Sequence, residues 1–489
     1  MNAHPTETAD SALIAETSTG VSLSAPARVA WTAFAVLFAM NLLDYVDRNV
    51  LTAMKPQIAT DFKIDDSQWG LLASVFLVSY SLVSPLMGWL GDRRRRTRLL
   101  AAGVGVWAIA TLGSGLARSY NELLVARSFL GIGEATYGVI APTILLDLFS
   151  RDVRARLLSI FYLAMPLGAG LGMGLGAYIA TKYGWHTAFF VVGAPAVLAA
   201  VAALFLPEPT RGASEGVSKE RLARHESVGA SREDYVDLMV NSSYTYAVFG
   251  MAAYTFAIGG MLIWVPNYLI YTRQFDQVKS TAMLGVITFA AAILGMSTGG
   301  WVADKLAKKR PQALFLVPGV AMLASIPFVL AALRATSPEA IYLAIFFAEL
   351  LMFVNTGPCN AIIGHVVLPN MRGAAYAVAV FAVHFLGDIW SPWLIGKAAD
   401  TFGDPLMMQG LIGKLLISVG ATPTRMPGHP PENIVAGLLI VVPALLVSAL
   451  VLLAGARHLP REMALMQAKL RAAPTAALKS SSPLDLKEL

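Results

Sequence analysis

The side chains best able to do chemistry in this chain are charged residues set inside stretches that are otherwise apolar and long enough to cross a bilayer. The first such stretch carries Asn41-Leu42-Leu43-Asp44-Tyr45-Val46-Asp47-Arg48. Asp44 and Asp47 are one helical turn apart, and Asp44 and Arg48 stand at i and i+4, within reach of an intrahelical ion pair. Two carboxylates against one arginine leave a residual negative charge that a bound proton relieves, and such a charge is costly in hydrocarbon. A second stretch reads Arg127-Ser128-Phe129-Leu130-Gly131-Ile132-Gly133-Glu134, with Arg127, Gly131 and Glu134 on one helix face. There the arginine can hold an anionic headgroup or pass between carboxylates as protons come and go; the alternative is a static interhelical pair with Asp47 or Asp44. A third carries His384-Phe385-Leu386-Gly387-Asp388, then Ser391-Pro392. His384 and Asp388 lie one turn apart, either extending a proton path or fixing a bend at the Gly and Pro. Glu349 and Lys397 are expected near interfaces, the lysine snorkelling.

These residues need a membrane around them, and the composition supplies it. Of 489 residues, 56% are apolar and 14% charged, against roughly 25% charged in a soluble domain. Nine stretches contain no Asp, Glu, Lys or Arg and can cross a hydrocarbon core of about 30 Å: 67–91, 99–117, 157–181, 183–207, 238–272, 280–303, 311–333, 350–371 and 433–456. With the charge-interrupted stretches 29–54, 121–146 and 373–399, the expectation is twelve transmembrane helices. Helix is required because unpaired backbone cannot sit in lipid and the long segments do not suit a barrel.

The polar residues 208–237 divide the chain into two six-helix bundles, 29–207 and 238–456. Residues 1–28 and 457–489 read as tails, the first disordered and without the features of a cleavable signal peptide. A long loop, 400–432, carries a candidate short interfacial helix and is silent on function. Counting Lys and Arg gives 25 on the side of the termini, 9 on the opposite side and 3 within spans, which places both termini in the cytoplasm. The halves also match each other: Gly88-Trp89-Leu90-Gly91-Asp92-Arg93 closes span two, and Gly300-Trp301-Val302-Ala303-Asp304-Lys305 closes span eight. The positive-inside rule explains the basic residues but not the Gly and Asp positions, so the pattern reads as internal duplication.

Several functions fall away. Cys359 is the only cysteine, so no intramolecular disulfide forms. No His/Cys metal cluster or nucleophile elbow is present, and the glycine run 168, 170, 172, 174 and 176 lacks the strand and lysine of a phosphate loop; in a membrane it offers a smooth face for another helix. Basic residues sit in short loops rather than in a nucleic-acid-binding patch. The expectation is therefore a non-enzyme with no metal and no nucleic-acid partner.

The segment Gly88 to Arg98 resembles the loop signature of the major facilitator superfamily. Within it the chain most resembles the Spinster group of lipid transporters, through the span-one motif, Gly131 to Tyr137 with Ala141-Pro142-Thr143, Arg154 to Tyr162, and His384 to Asp388 with Ser391-Pro392. The resemblance covers about residues 30–456. It implies alternating access around a central cavity, no cofactor other than protons as coupling ion, and a lysophospholipid or sphingosine-like lipid as partner. By position it implies Asp47, Glu134 and Asp44 as proton sites, and Arg48, Arg127, Tyr45 and Tyr137 as charge partners or headgroup contacts. Gly88, Asp92, Arg93, Arg96, Asp304, Arg154 and Arg156 would serve gating. Asp44 stands where many members have Asn, leaving the proton assignment open between it and Asp47. The expected setting is a monomer in a bacterial plasma membrane. An organic-anion or drug carrier is the alternative, and a receptor or membrane enzyme a third.

Overall fold

The computed structural model describes residues 26–149, 157–158, 160–209, 236, 238–367, 372–424, 431–466 and 468, without the side chains of Asp92 and of 372–374. Arg154 and Arg156 lie outside the described residues. Among the described residues, twelve helices are long and apolar enough to cross a bilayer. They are α1 (Ala27–Ala53), α2 (Asp66–Gly91), α3 (Arg96–Leu116), α4 (Tyr120–Leu148), α5 (Ile160–Tyr183) and α6 (Trp185–Leu204), then α7 (Ser242–Thr272), α8 (Gln277–Ala307), α9 (Ala313–Arg334), α10 (Pro338–Val366), α11 (Ala375–Thr401) and α12 (Ile434–Gly455). With an even number of spans, Ala27 and Gly455 share one face, here the terminal face; the other is the far face.

Polar residues mark where helices begin. Asp65 starts α2 with a reciprocal capping box to Gln68, and Ser119, Asn241, Asp276 and Ser337 accept from the first-turn N–H groups of α4, α7, α8 and α10. Each satisfies a donor that the helix cannot satisfy itself. The predicted bend in the eleventh span is present: helix stops after Leu386 and resumes at Ser391, with Pro392 in its first turn. Pro fits there because it has no N–H to leave unpaired. In the long loop, the short helix Leu411–Ser418 leaves Leu411, Ile412 and Leu415 exposed, as a helix resting on a bilayer surface would.

Arg96, one of the expected gating residues, is a clamp within the first half. It is buried, its Nη1 donates to Asp147 at 2.6 Å and to the Thr143 carbonyl at 3.2 Å, and its Nη2 donates to the Pro209 carbonyl at 2.9 Å. Glu208 completes the clamp by accepting the N–H groups of Arg96 and Thr97 at the start of α3, at 3.1 and 2.9 Å. Partial burial alone would raise the Glu208 carboxyl; the Thr97 N–H and hydroxyl and the Arg96 groups outweigh it and hold the carboxyl below its ordinary value. A depressed folded-state value means the contribution is present above the unfolded-state value and lost as pH falls through the folded one. Glu208→Gln is therefore expected to destabilise the protein by about 0.5–2 kcal/mol at neutral pH, as loss of a helix cap does. Melting in detergent checks this, and the gap from wild type should close as the buffer is made acidic.

The glycine run of α5 serves two neighbours rather than the single one expected. A Cβ on Gly168, Gly172 or Gly176 would strike Tyr45, Val46 or Val50 of α1, whereas Gly170 and Gly174 face Gly285 and Ala282 of α8. Spacing of four keeps the first three on one stripe, and the two between them fall on the opposite side. At the α5–α8 crossing the backbones meet directly: a Cβ on Gly285 would lie 2.7 Å from both Cα and O of Gly170. This joins the two halves.

Other links between the halves cluster on the far face. A Cβ on Gly70 of α2 would run into the Pro392 carbonyl of α11. The Asp400 carboxylate accepts the N–H groups of Asp66 and Ser67 at 3.0 and 2.8 Å, and Gln277 donates to the Ala53 carbonyl at 2.7 Å. Lys55 pairs with Asp66 and Glu432.

Candidate functional site

Asp44, Asp47 and Arg48, in the far-side half of α1, converge with Arg127 and Glu134 of α4. Asp44, Asp47, Arg127 and Glu134 are all buried, and only the Arg48 side chain keeps appreciable exposure, 25%. Arg48 donates from Nε and Nη2 to one oxygen of Glu134 at 3.1 and 2.8 Å, and from Nη2 to Asp44 at 3.3 Å. The i, i+4 pair expected within α1 thus exists, but Arg48 is shared with α4. Its guanidinium sits in a collar of rings, 4.9 Å from the Tyr45 centroid, 5.0 Å from Phe76 and 5.3 Å from Tyr80. Rings in this position stabilise a cation while excluding water.

Asp47 has different company. One of its oxygens accepts from the Trp107 indole N–H and the Thr111 hydroxyl of α3, while the other is buried without a donor. Sequence reasoning missed these two partners. Their signal was available, since Trp107 and Thr111 stand one turn apart on a charge-free helix, but nothing in that helix says which carboxylate they meet.

Arg127 is buried with Nε and Nη1 lacking any acceptor, its guanidinium 5.3 Å from the Phe76 centroid. The ion pair that forms between α1 and α4 is Arg48 with Glu134, not Arg127 with Asp47 or Asp44 as in the static reading. One oxygen each of Asp44, Asp47 and Glu134 also lacks a donor. Three carboxyl groups against two guanidiniums leave one negative charge beyond balance, and one proton among them makes the cluster neutral. Unsatisfied buried polar atoms are normally rare, and here several of them gather in one cluster.

Glycines let the helices come close enough to build this cluster. Gly131 admits the Phe76 backbone of α2, and Gly133 the Trp107 backbone of α3. Tyr137, grouped with the charge partners from the motifs, instead donates its hydroxyl to the Leu37 carbonyl at 2.7 Å and fastens α4 to α1. His384, in the last turn before the break in α11, pairs at 2.9 Å with Asp388 inside the break, and the His384 ring lies 6.4 Å from that of Tyr80. That places the pair at the boundary between halves.

Glu349 requires a correction. It lies deep within α10, 1% exposed, with Oε2 unpartnered, rather than near an interface. The charge-free stretch began at 350, so the residue looked terminal; the helix in fact starts at Pro338. On the terminal face Gly88 is half-buried, and a Cβ added there would lie 3.8 Å from Val139, at ordinary contact distance. Arg93 is exposed and packs its guanidinium 4.3 Å from the Trp89 centroid. Asp304 is exposed. Among the described residues no group of three or more His, Cys, Asp or Glu side chains could hold a metal ion.

A family model described as Major Facilitator Superfamily matches residues 37–392. Protein spinster homolog 1 from Xenopus laevis is 36% identical over 382 residues, spanning 75% of this chain and 72% of that protein. Its Homo sapiens counterpart is 37% identical over 385 residues, with the same coverage of 75% and 72%. Among solved structures, a bacterial homolog to human lysosomal transporter, Spinster, in an inward-facing and unoccupied conformation, superimposes with a TM-score of 0.77 at 21% identity. That match covers 90% of this chain and 99% of the other.

Proposed function

The chain belongs to the Spinster family of the major facilitator superfamily, and from that premise we propose that it moves a single-chain amphiphilic lipid by proton-coupled alternating access. Its relatives are membrane transporters and not enzymes, and this chain is a multi-pass membrane transporter with them. The observation that carries the finer reading is the unbalanced cluster of Asp44, Asp47 and Glu134 against Arg48 and Arg127.

In this reading the lipid headgroup, a lysophospholipid or sphingosine-like phosphate, engages Arg127, whose unpartnered nitrogens suit an anion. Arg48 can join it when Glu134 takes a proton and lets go. Protonation of Asp47 or Glu134 loosens the pairing between α1 and α4, and the halves rock. The tail would lie on apolar surface; Leu82 and Leu86 of α2 and Phe381 and Phe385 of α11 are exposed for it. The terminal face is taken as cytoplasmic, from its excess of Lys and Arg, in a bacterial plasma membrane, with the lipid carried outward. Gly88, Asp92, Arg93 and Asp304 would act when the terminal face closes. One chain encloses the whole cluster, so the working unit is taken as the monomer.

The test is movement of a fluorescent lysophospholipid in proteoliposomes with and without a pH gradient. Gradient-driven movement in wild type that Asp47→Asn abolishes is the expected result. Movement indifferent to both gradient and substitution would leave a facilitator and remove the coupling. The same free guanidinium nitrogens of Arg127 favour a second reading, a carrier of small organic carboxylates; competition between lysolipid and small acids separates the two.

A further inference from the structure

The far-face seam has its own charge imbalance, on residues distinct from those of the central cluster. Lys55, at the start of the short helix Lys55–Phe62, is 2% exposed. Its ammonium bonds the Asp66 carboxylate of α2 and reaches Glu432, which precedes α12, at 3.1 Å. The ammonium also sits 5.0 Å from the Trp264 ring centroid and 4.6 Å from that of Tyr271, both on α7. Burial alone would lower the Lys55 ammonium; Asp66 and then Glu432 outweigh it and hold it above its ordinary value. Lys55 therefore stays charged across ordinary pH.

Among the described residues, the charged and titratable groups facing the seam are Lys55, Asp65 and Asp66 from α2 and the helix before it, Tyr271 from α7, Asp400 from α11, and Glu432. Together with Ile64 they line a space of about 10 Å³. That is close to what one water-sized species needs. Asp65 and Asp400 are occupied with N–H groups at the start of α2. Two carboxylates, Asp66 and Glu432, thus share one ammonium. Asp66 Oδ2, Glu432 Oε1 and Tyr271 Oη are buried there with no hydrogen-bond partner.

We propose that this seam is a second proton site, in which a proton taken up from the far side between Asp66 and Glu432 completes the pairing with Lys55 and holds the far face shut. The sign follows from burial. In the closed seam Asp65 and Asp400 keep their charges against the N–H groups at the start of α2, while Asp66 and Glu432 share one ammonium, and a proton between those two balances it; the open seam hands both of them to water, where they ionise freely. The closed state binds the extra proton, so acid favours closure and alkali favours opening. One such proton changes the open-to-closed ratio by at most about tenfold per pH unit. It enters and leaves on the same side, so it gates the cycle without adding to the protons carried across. The inference rests on the orientation and alternating-access reading above, but not on the identity of the substrate.

Spin labels on Lys63→Cys and Lys414→Cys, both exposed and on opposite halves, report the far-face distance in full-length protein in nanodiscs, with Cys359→Ser to leave two thiols. Measured without substrate between about pH 5 and about pH 8.5, the closed population should fall as pH rises, over a window a single proton can set. Glu432→Gln, neutral at every pH, should keep the seam shut and flatten the profile; if Asp66→Asn is poorly folded, Glu432→Gln alone decides. The profile should persist with Asp47→Asn and Glu134→Gln together. A pH profile unchanged by Glu432→Gln, or a distance indifferent to pH, would overturn the second site. A profile abolished by the central double substitution would assign the effect to the central cluster instead. A working seam alongside proteoliposomes that carry no lipid would leave this inference standing and remove only the substrate.

Discussion

Glu134→Gln is expected to lower gradient-driven transport by roughly 5–150-fold while the protein still folds. The range is that of one coupling free energy of about 1–3 kcal/mol between two states. The residue accepts two donors of Arg48 on one oxygen, at 3.1 and 2.8 Å, and that pair is the direct ionic tie between α1 and α4 in the cluster. Glutamine keeps the shape and one acceptor, so packing survives, but its side chain can no longer alternate between a charged partner and a neutral one. Arg48 is left with Asp44 at 3.3 Å in every step of the cycle. Uptake against a pH gradient and exchange without one, measured on the same vesicles, distinguish lost coupling from lost binding. If exchange survives and only the gradient response goes, Glu134 is a coupling residue; equal loss of both would make it a headgroup contact.

Gly70→Val is expected to cost transport by a similar factor through the opposite route. A side chain there meets the Pro392 carbonyl and lies 2.9 Å from the Trp393 Cα of α11, backbone atoms that cannot swing aside. Overpacking of this kind costs about 1–3 kcal/mol, and here it falls on one conformation only, because the clash is between halves. The far face would be held open and the halves left folded. Gly172→Val provides the contrast, since its Cβ meets the Val46 carbonyl at 2.5 Å within the first half, where no rocking relieves it. The expectation is a normal melting temperature with far-face labels permanently accessible for Gly70→Val, and a lowered melting temperature for Gly172→Val. Equal melting losses in both would mean that α2 and α11 do not separate.

Much of this was legible in the residues, because a membrane makes the reading strict. Nine charge-free stretches and three interrupted ones became twelve helices, and the break announced by Gly387 and Pro392 is where the helix breaks. Pairing was not legible. Helical spacing put Asp44, Asp47 and Arg48 close together along α1, yet the 60° between Asp44 and Asp47 sends one to Arg48 and the other to Trp107 and Thr111. Periodicity gives the face of a helix and not the neighbour it meets. Glu349 was misplaced because a charge was read as the end of an apolar stretch, although a buried carboxyl can sit inside one. The loop 400–432 read as silent because its acidic residues at each end, Asp400 and Glu432, look like ordinary loop polarity until the fold sets them against Asp66 and Lys55.

The meeting of Gly170 with Gly285 determines what kind of joint the two halves turn on. With bare main chain on both sides there are no interlocked side chains to leave one rotamer well for another, so the crossing behaves as a smooth bearing. In the rocking proposed above, resistance would then fall on the rim, in the ionic and hydrogen-bonded contacts of the far face. An alanine at Gly285 would set its Cβ 2.7 Å from the Gly170 main chain and so penalise this arrangement of the halves in particular.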